Sequence, residues 1–93
     1  MTVLESRVEK RLTEGVRSLG GKAIKMVPTV AGIPDRLVLL PGGRVFFVEL
    51  KSPTGKLRRV QEVWLGRLDR LGMNTVVLGS TEEVDRWLKE IRK

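Results

Sequence analysis

The chain contains no cysteine and no histidine among its 93 residues. That removes thiolate chemistry, zinc sites and Ser-His-type triads together. It also lacks any apolar run near the roughly 20 residues of a membrane span, and no charged, apolar, small-residue leader opens it. These absences predict a soluble, intracellular (cytoplasmic) protein with no membrane span. Acidic residues are scarce: eleven Asp and Glu face eighteen Lys and Arg, a net charge of +7. Such a surplus favours a polyanion as partner, either nucleic acid or an anionic membrane surface. One small domain over 1–93 is expected. At this size a domain buries only about 60–65% of its unfolded surface, so a dimer that covers more would be unsurprising. Any catalysis is left to carboxylates, Lys, Arg, hydroxyls and a hard metal such as magnesium or manganese.

What is present is organised around residues 34–51. Two segments rich in Val, Leu and Phe, RLVLL (36–40) and RVFFVEL (44–50), flank Pro41-Gly42-Gly43 and read as a hairpin. Each is apolar on both faces, so the hairpin belongs in the middle of a covered sheet. A carboxylate in such a strand is costly unless paired, hydrogen-bonded or metal-bound, which singles out Glu49. Register decides its neighbours. A two-residue Gly42-Gly43 turn pairs Leu40 with Val45 and puts Asp35 and Glu49 on opposite faces. A three-residue loop pairs Leu40 with Arg44 and sets Asp35 opposite Glu49, with Lys51 further along the same face. The three-residue loop is the expected one.

In chain order, apolar spacing predicts a first helix over 4–19 with Val8, Leu12, Val16 and Leu19 on one stripe. Glu5 points about 20° from Leu12 and falls inside that stripe, whereas Glu9 lies about 65° from its centre. If one acid of this helix faces the core, it is Glu5; the alternative is a frayed first turn whose acids simply favour the helix dipole. Gly20-Gly21 ends the helix. A strand over 22–27 follows, with Lys25 and Lys22 on opposite faces, either able to reach a phosphate or to rest at a strand edge in water. Residues 28–34 form a loop leading to Asp35. A turn-rich link follows Lys51 and departs from the phosphate-loop pattern, since Leu57 stands where a Ser or Thr is needed.

Lys56, Arg58 and Arg59 cluster at the start of a second helix over 57–71, suited to phosphate contact or to a solvated helix start. That helix carries Val60, Trp64, Leu68 and Leu71 on one face, with Gln61 looking over its edge toward the sheet. A strand over 75–78 and a last helix begun by a Ser80/Glu83 capping box complete the order αβββαβα. On the last helix Trp87 reads as core or dimer contact rather than a base-stacking platform.

Carboxylates converging from different elements beside a lysine are what metal-assisted phosphodiester hydrolysis requires. Asp35 and Glu49 would supply hard oxygen ligands, and Lys51 would orient a water or oppose charge developing on phosphorus. The alternative is a structural Glu49/Lys51 ion pair with Asp35 capping a turn.

Pro34-Asp35, thirteen intervening residues and Glu49-Leu50-Lys51 resemble the signature of the PD-(D/E)XK nuclease superfamily. Gly32-Ile33-Pro34-Asp35-Arg36, the FFVELK run of 46–51 and Gln61 ten residues after Lys51 resemble, more closely, the VRR-NUC domain, whose stand-alone phage and bacterial members are related to Holliday junction resolvases. The resemblance implies a restriction-endonuclease-like α/β fold with an αβββαβ(α) core and a mixed sheet flanked by helices. It implies Mg2+ or Mn2+ held by Asp35, Glu49, the Leu50 backbone carbonyl and Glu5, with Glu9 as the alternative if the alignment slips one turn. Lys51 would be the catalytic lysine and Gln61 would flank the site. It further implies a homodimeric endonuclease without organic cofactor, acting on branched DNA, with Lys25, Lys56, Arg58 and Arg59 available to the backbone. Rival functions are a non-catalytic basic nucleic-acid-binding module and a nuclease of flaps or ordinary duplex.

Overall fold

The hairpin at the centre of the chain sets the architecture. In the computed structural model, which describes residues 3–27, 29–51 and 54–92, strands β1 (Lys22–Lys25), β2 (Arg36–Leu40), β3 (Arg44–Leu50) and β4 (Asn74–Leu78) form one sheet in that order. The apolar β2 and β3 are the two inner strands, as their two-sided hydrophobicity requires. β1 and β2 are antiparallel, β2 and β3 are antiparallel, and β3 and β4 are parallel, so the sheet is mixed. Three helices complete it: α1 (Val3–Ser18), α2 (Arg59–Arg70) and α3 (Thr81–Ile91).

The hairpin adopts the three-residue loop. Leu40 partners Arg44 and Arg36 partners Val48, and Gly42 and Gly43 both take positive φ (85° and 75°), which glycine accepts without steric cost. Continuing that register sets Asp35 across from Glu49. The Asp35 carbonyl accepts a hydrogen bond of 2.8 Å from the Met26 backbone N–H, just past the end of β1. Pro28, Ser52 and Pro53, which belong to the two loops expected around the hairpin, lie outside the described residues.

Alternation along the strands creates one core. Val38, Leu40, Val48 and Leu78 point to the face covered by α1 and α3, where they meet Val8, Leu12, Val16, Val84, Trp87 and Ile91. Trp87 packs edge-on to Phe46 with ring centroids 5.3 Å apart, so it is a core residue. Arg44 donates to the Ile91 carbonyl and ties the hairpin to the last turn of α3. The Ser80 Oγ accepts from the Glu83 N–H at 3.0 Å, capping the start of α3 as expected.

One expectation needs correction. α2 begins at Arg59 and ends at Arg70, so Leu71 falls beyond it and is exposed, while Leu68 alone of its apolar face is buried. On α1, Glu9, at the edge of the apolar stripe, is bonded by a buried arginine. The Arg36 side chain, rooted on the α1 side of β2 and only 4% exposed, binds the Glu9 carboxylate from beneath the helix. A buried guanidinium draws the nearest acid inward, even one at the edge of the apolar stripe. Wheel geometry on α1 contains no trace of that partner.

Candidate active site

The site is assembled where β2 begins, β3 ends and α2 starts. Glu49 follows Val48 on β3 and therefore leaves the opposite face of the sheet from the main core. It is only 6% exposed. Its carboxyl is pushed up to about 7, first by burial and next by the facing Asp35 charge, with Arg36 and Arg58 pulling in the other direction. Two acids are thus set against each other in a partly dry environment, and a cation between them would relieve both costs.

Gln61, third residue of α2, is held from both ends. Its side-chain carbonyl accepts from the Arg58 backbone N–H at 2.7 Å, satisfying a donor at the helix start. Its amide nitrogen donates to Glu49 Oε1 at 3.3 Å. The helix start and the buried carboxylate are therefore linked through one amide whose orientation both partners dictate. Gly32 makes the close approach of the preceding loop possible: it has φ +94°, and a Cβ there would lie 2.5 Å from the Val60 carbonyl oxygen.

Asp35 is engaged by Arg36, whose Nη1 lies 2.8 Å from Asp35 Oδ2 while its Nη2 binds Glu9. Arg36 therefore joins the site to α1, a role no reading of the sequence assigned to it. The signal was available: an arginine in an otherwise apolar strand, directly after Pro34-Asp35.

Beside this pair opens a cleft of about 240 Å³ lined by Glu5, Leu50, Lys51, Gly55, Lys56, Leu57, Arg58 and Gln61. The structure thus brings Glu5, Leu50, Lys51, Gln61, Lys56 and Arg58 to one opening. It does not bring Lys25 or Arg59 there. Lys25 is exposed on the edge strand β1, and Arg59 turns to Glu62 at 3.9 Å. Glu9 is engaged with Arg36, so of the two helix acids Glu5 is the one facing this cleft. A larger cleft of about 350 Å³, lined by Thr13, Arg17, Gly21, Lys22, Ala23 and Ile24, has no carboxylate and offers no ligand set.

The donor set fits a hard cation. Every candidate ligand is oxygen, and the chain has no sulfur or imidazole donor of the kind zinc prefers. Among the described residues no three acids stand close enough together to hold an ion unaided. Asp35 and Glu49 with the Leu50 carbonyl and water suit magnesium or manganese, which keep several waters, better than a closed protein cage.

The raised carboxyl has a measurable consequence for the metal-free protein. Because the folded state holds the Glu49 proton more tightly than the unfolded chain does, the resulting stability is complete below the ordinary value of 4.5 and is lost as pH rises through about 7. Glu49→Gln removes that loss and keeps an oxygen for Gln61 to bond. In EDTA the variant should melt above wild type at pH 8, by on the order of 2 kcal/mol, and close to it at pH 4. Parallel melting curves against pH would contradict the burial argument.

Comparison with known proteins agrees with the fold. Residues 2–82 match the family model described as VRR-NUC domain. A protein of Acyrthosiphon pisum secondary endosymbiont phage 1, named "Putative nuclease p44", is 43% identical over 81 residues, covering 86% of this chain and 87% of its own. A solved structure titled "VRR_NUC domain" superposes with a TM-score of 0.88 at 34% identity, over 97% of this chain and 99% of that one.

Proposed function

Because the chain belongs to the VRR-NUC family of nuclease domains, we propose that it hydrolyses phosphodiester bonds within DNA strands with the help of Mg2+ or Mn2+, favouring branched forms such as four-way junctions. The observation that carries this reading is the facing of Asp35 and Glu49 across the hairpin, with Glu49 raised by burial and by its neighbour.

In this reading Asp35 and Glu49 hold the cation, with the Leu50 carbonyl and Glu5 completing its surroundings. The bound ion supplies charge neutralisation at the phosphate and an acidified water. The remaining tasks fall to this chain's own groups. Lys51 presents an ammonium to the phosphate as negative charge grows on its oxygens. Gln61 keeps the Glu49 carboxylate turned toward the cleft. Lys56 and Arg58 at its rim take up the DNA backbone, with Arg59 and Lys25 contacting phosphates further out. Reading by backbone and shape rather than by base edges suits a branched substrate, and a homodimer would offer two such clefts to the arms of a junction.

The test is cleavage by the purified protein, with Mn2+ or EDTA, of a panel comprising a four-way junction, a flap and linear duplex. The expected result is Mn2+-dependent internal cuts, fastest on the junction. Equal cutting of every form would replace junction selectivity with general nuclease action. Binding without any cutting would identify a non-catalytic basic module instead.

A further inference from the structure

The proposed role of Lys51 requires its ammonium to be held in one place, and the structure shows what leaves room for it. The Lys51 N–H donates to the Leu78 carbonyl at 3.0 Å, extending the parallel β3–β4 register in which Leu50 partners Leu78. That register sets Lys51 beside Gly79, the first residue after β4. Gly79 is buried, and a Cβ built on it would lie 2.6 Å from Lys51 Nζ and 3.3 Å from both Lys51 Cε and Glu83 Oε1. The end of the lysine therefore occupies the volume where any other residue would carry its side chain, and the Glu83 carboxylate of α3 borders the same volume.

Gly79 is not in the left-handed region, so its backbone conformation does not require glycine. Backbone geometry thus permits alanine, while the space does not. What a methyl group would strike is the flexible end of Lys51 rather than main chain. We propose that Gly79 is a positioning residue for Lys51: its missing side chain is the seat of the lysine head. This rests on the hydrolytic reading of Lys51, since a seat matters to function only if the ammonium does.

The consequences of Gly79→Ala separate a seat for Lys51 from a general structural need. The variant should fold with a Tm equal to or above that of wild type, because alanine restricts the unfolded chain at a compatible position. Its kcat for Mn2+-dependent cleavage should fall about 10- to 100-fold, the cost expected of moving a reacting group by about 1 Å, with KM for DNA within about twofold. In a Lys51→Ala background the same change should cost nothing further. Wild-type kcat in Gly79→Ala, or an equal loss with and without Lys51, would overturn the proposal.

A second readout is independent of cleavage. With lysines carrying 13C-methyl labels, the Lys51 resonance, assigned from its absence in Lys51→Arg, should shift in Gly79→Ala while other lysine signals stay in place. An unmoved resonance would overturn the seat even if wild type proved to have no nuclease activity, so the failure of the functional reading and the failure of this inference are distinguishable. Should Gly79→Ala not fold, Gly79→Ser is the second variant for both readouts, and loss of folding by both would mark Gly79 as structural and overturn the proposal.

Discussion

Asp35→Ala is expected to reduce Mn2+-dependent DNA cleavage by at least about 1000-fold while leaving DNA affinity within a few-fold of wild type. The reasoning starts from charge. Asp35 and Glu49 are the two acids set against each other at the mouth of the hairpin, and removing one leaves a single buried carboxylate, whose charge already costs desolvation. Without Asp35 the Glu49 carboxyl loses one of the causes that raise it, but a lone carboxylate offers a cation only one of the two charged ligands of the pair. On the proposed reading backbone affinity rests elsewhere, on Lys56 and Arg58 at the cleft and on the surrounding positive charge, so binding should survive. Gel-shift titration and a single-turnover cleavage assay on the same junction measure the two quantities separately. Full activity in Asp35→Ala would remove the site from the hairpin altogether.

The largest effect on stability is expected from Arg36→Met. The side chain is almost wholly buried and its guanidinium serves two carboxylates, Glu9 from α1 and Asp35 from its own loop. Methionine fills the volume, so packing is not the issue. What is lost is the guanidinium that bonds both acids, and they are left close to one another without the cation between them. Breaking a buried pair costs about 3–5 kcal/mol. Both acids are about one-third exposed, so water recovers part of that, and about 2–3 kcal/mol is the expected loss by urea melting at pH 7. Adding Glu9→Gln to Arg36→Met should restore part of it by removing one of the two unpaired charges. A melting midpoint equal to wild type for Arg36→Met would show that the guanidinium is not what fastens α1 to the site.

Much of this arrangement was legible in the sequence because it depends on local rules. The order of elements follows from apolar periodicity. The hairpin register follows from three turn residues, two of them glycines that take positive φ, and that register alone sets Asp35 across from Glu49. Gln61 could be placed at the margin because its angle on α2 is a matter of counting. What escaped involves partners distant in sequence. Nothing on the α1 wheel reveals that Arg36 lies beneath it, so the bond from that buried guanidinium to Glu9 is invisible there. Apolar spacing starts α2 two residues early because Leu57 and Arg58 continue a helical pattern, whereas Gln61 caps the backbone at Arg58. The relation of Lys51 to Gly79 depends on β3 and β4 being parallel neighbours, and the 27 residues between these two positions (52–78) contain a whole helix.

The central claim is that Asp35 and Glu49 share one divalent cation, and calorimetric titration of Mn2+ into wild type, Asp35→Asn and Glu49→Gln tests it most directly. The account predicts one site in wild type and at least tenfold weaker binding in each variant, because each removes one of two charged ligands. Unchanged Mn2+ affinity in both variants would contradict it.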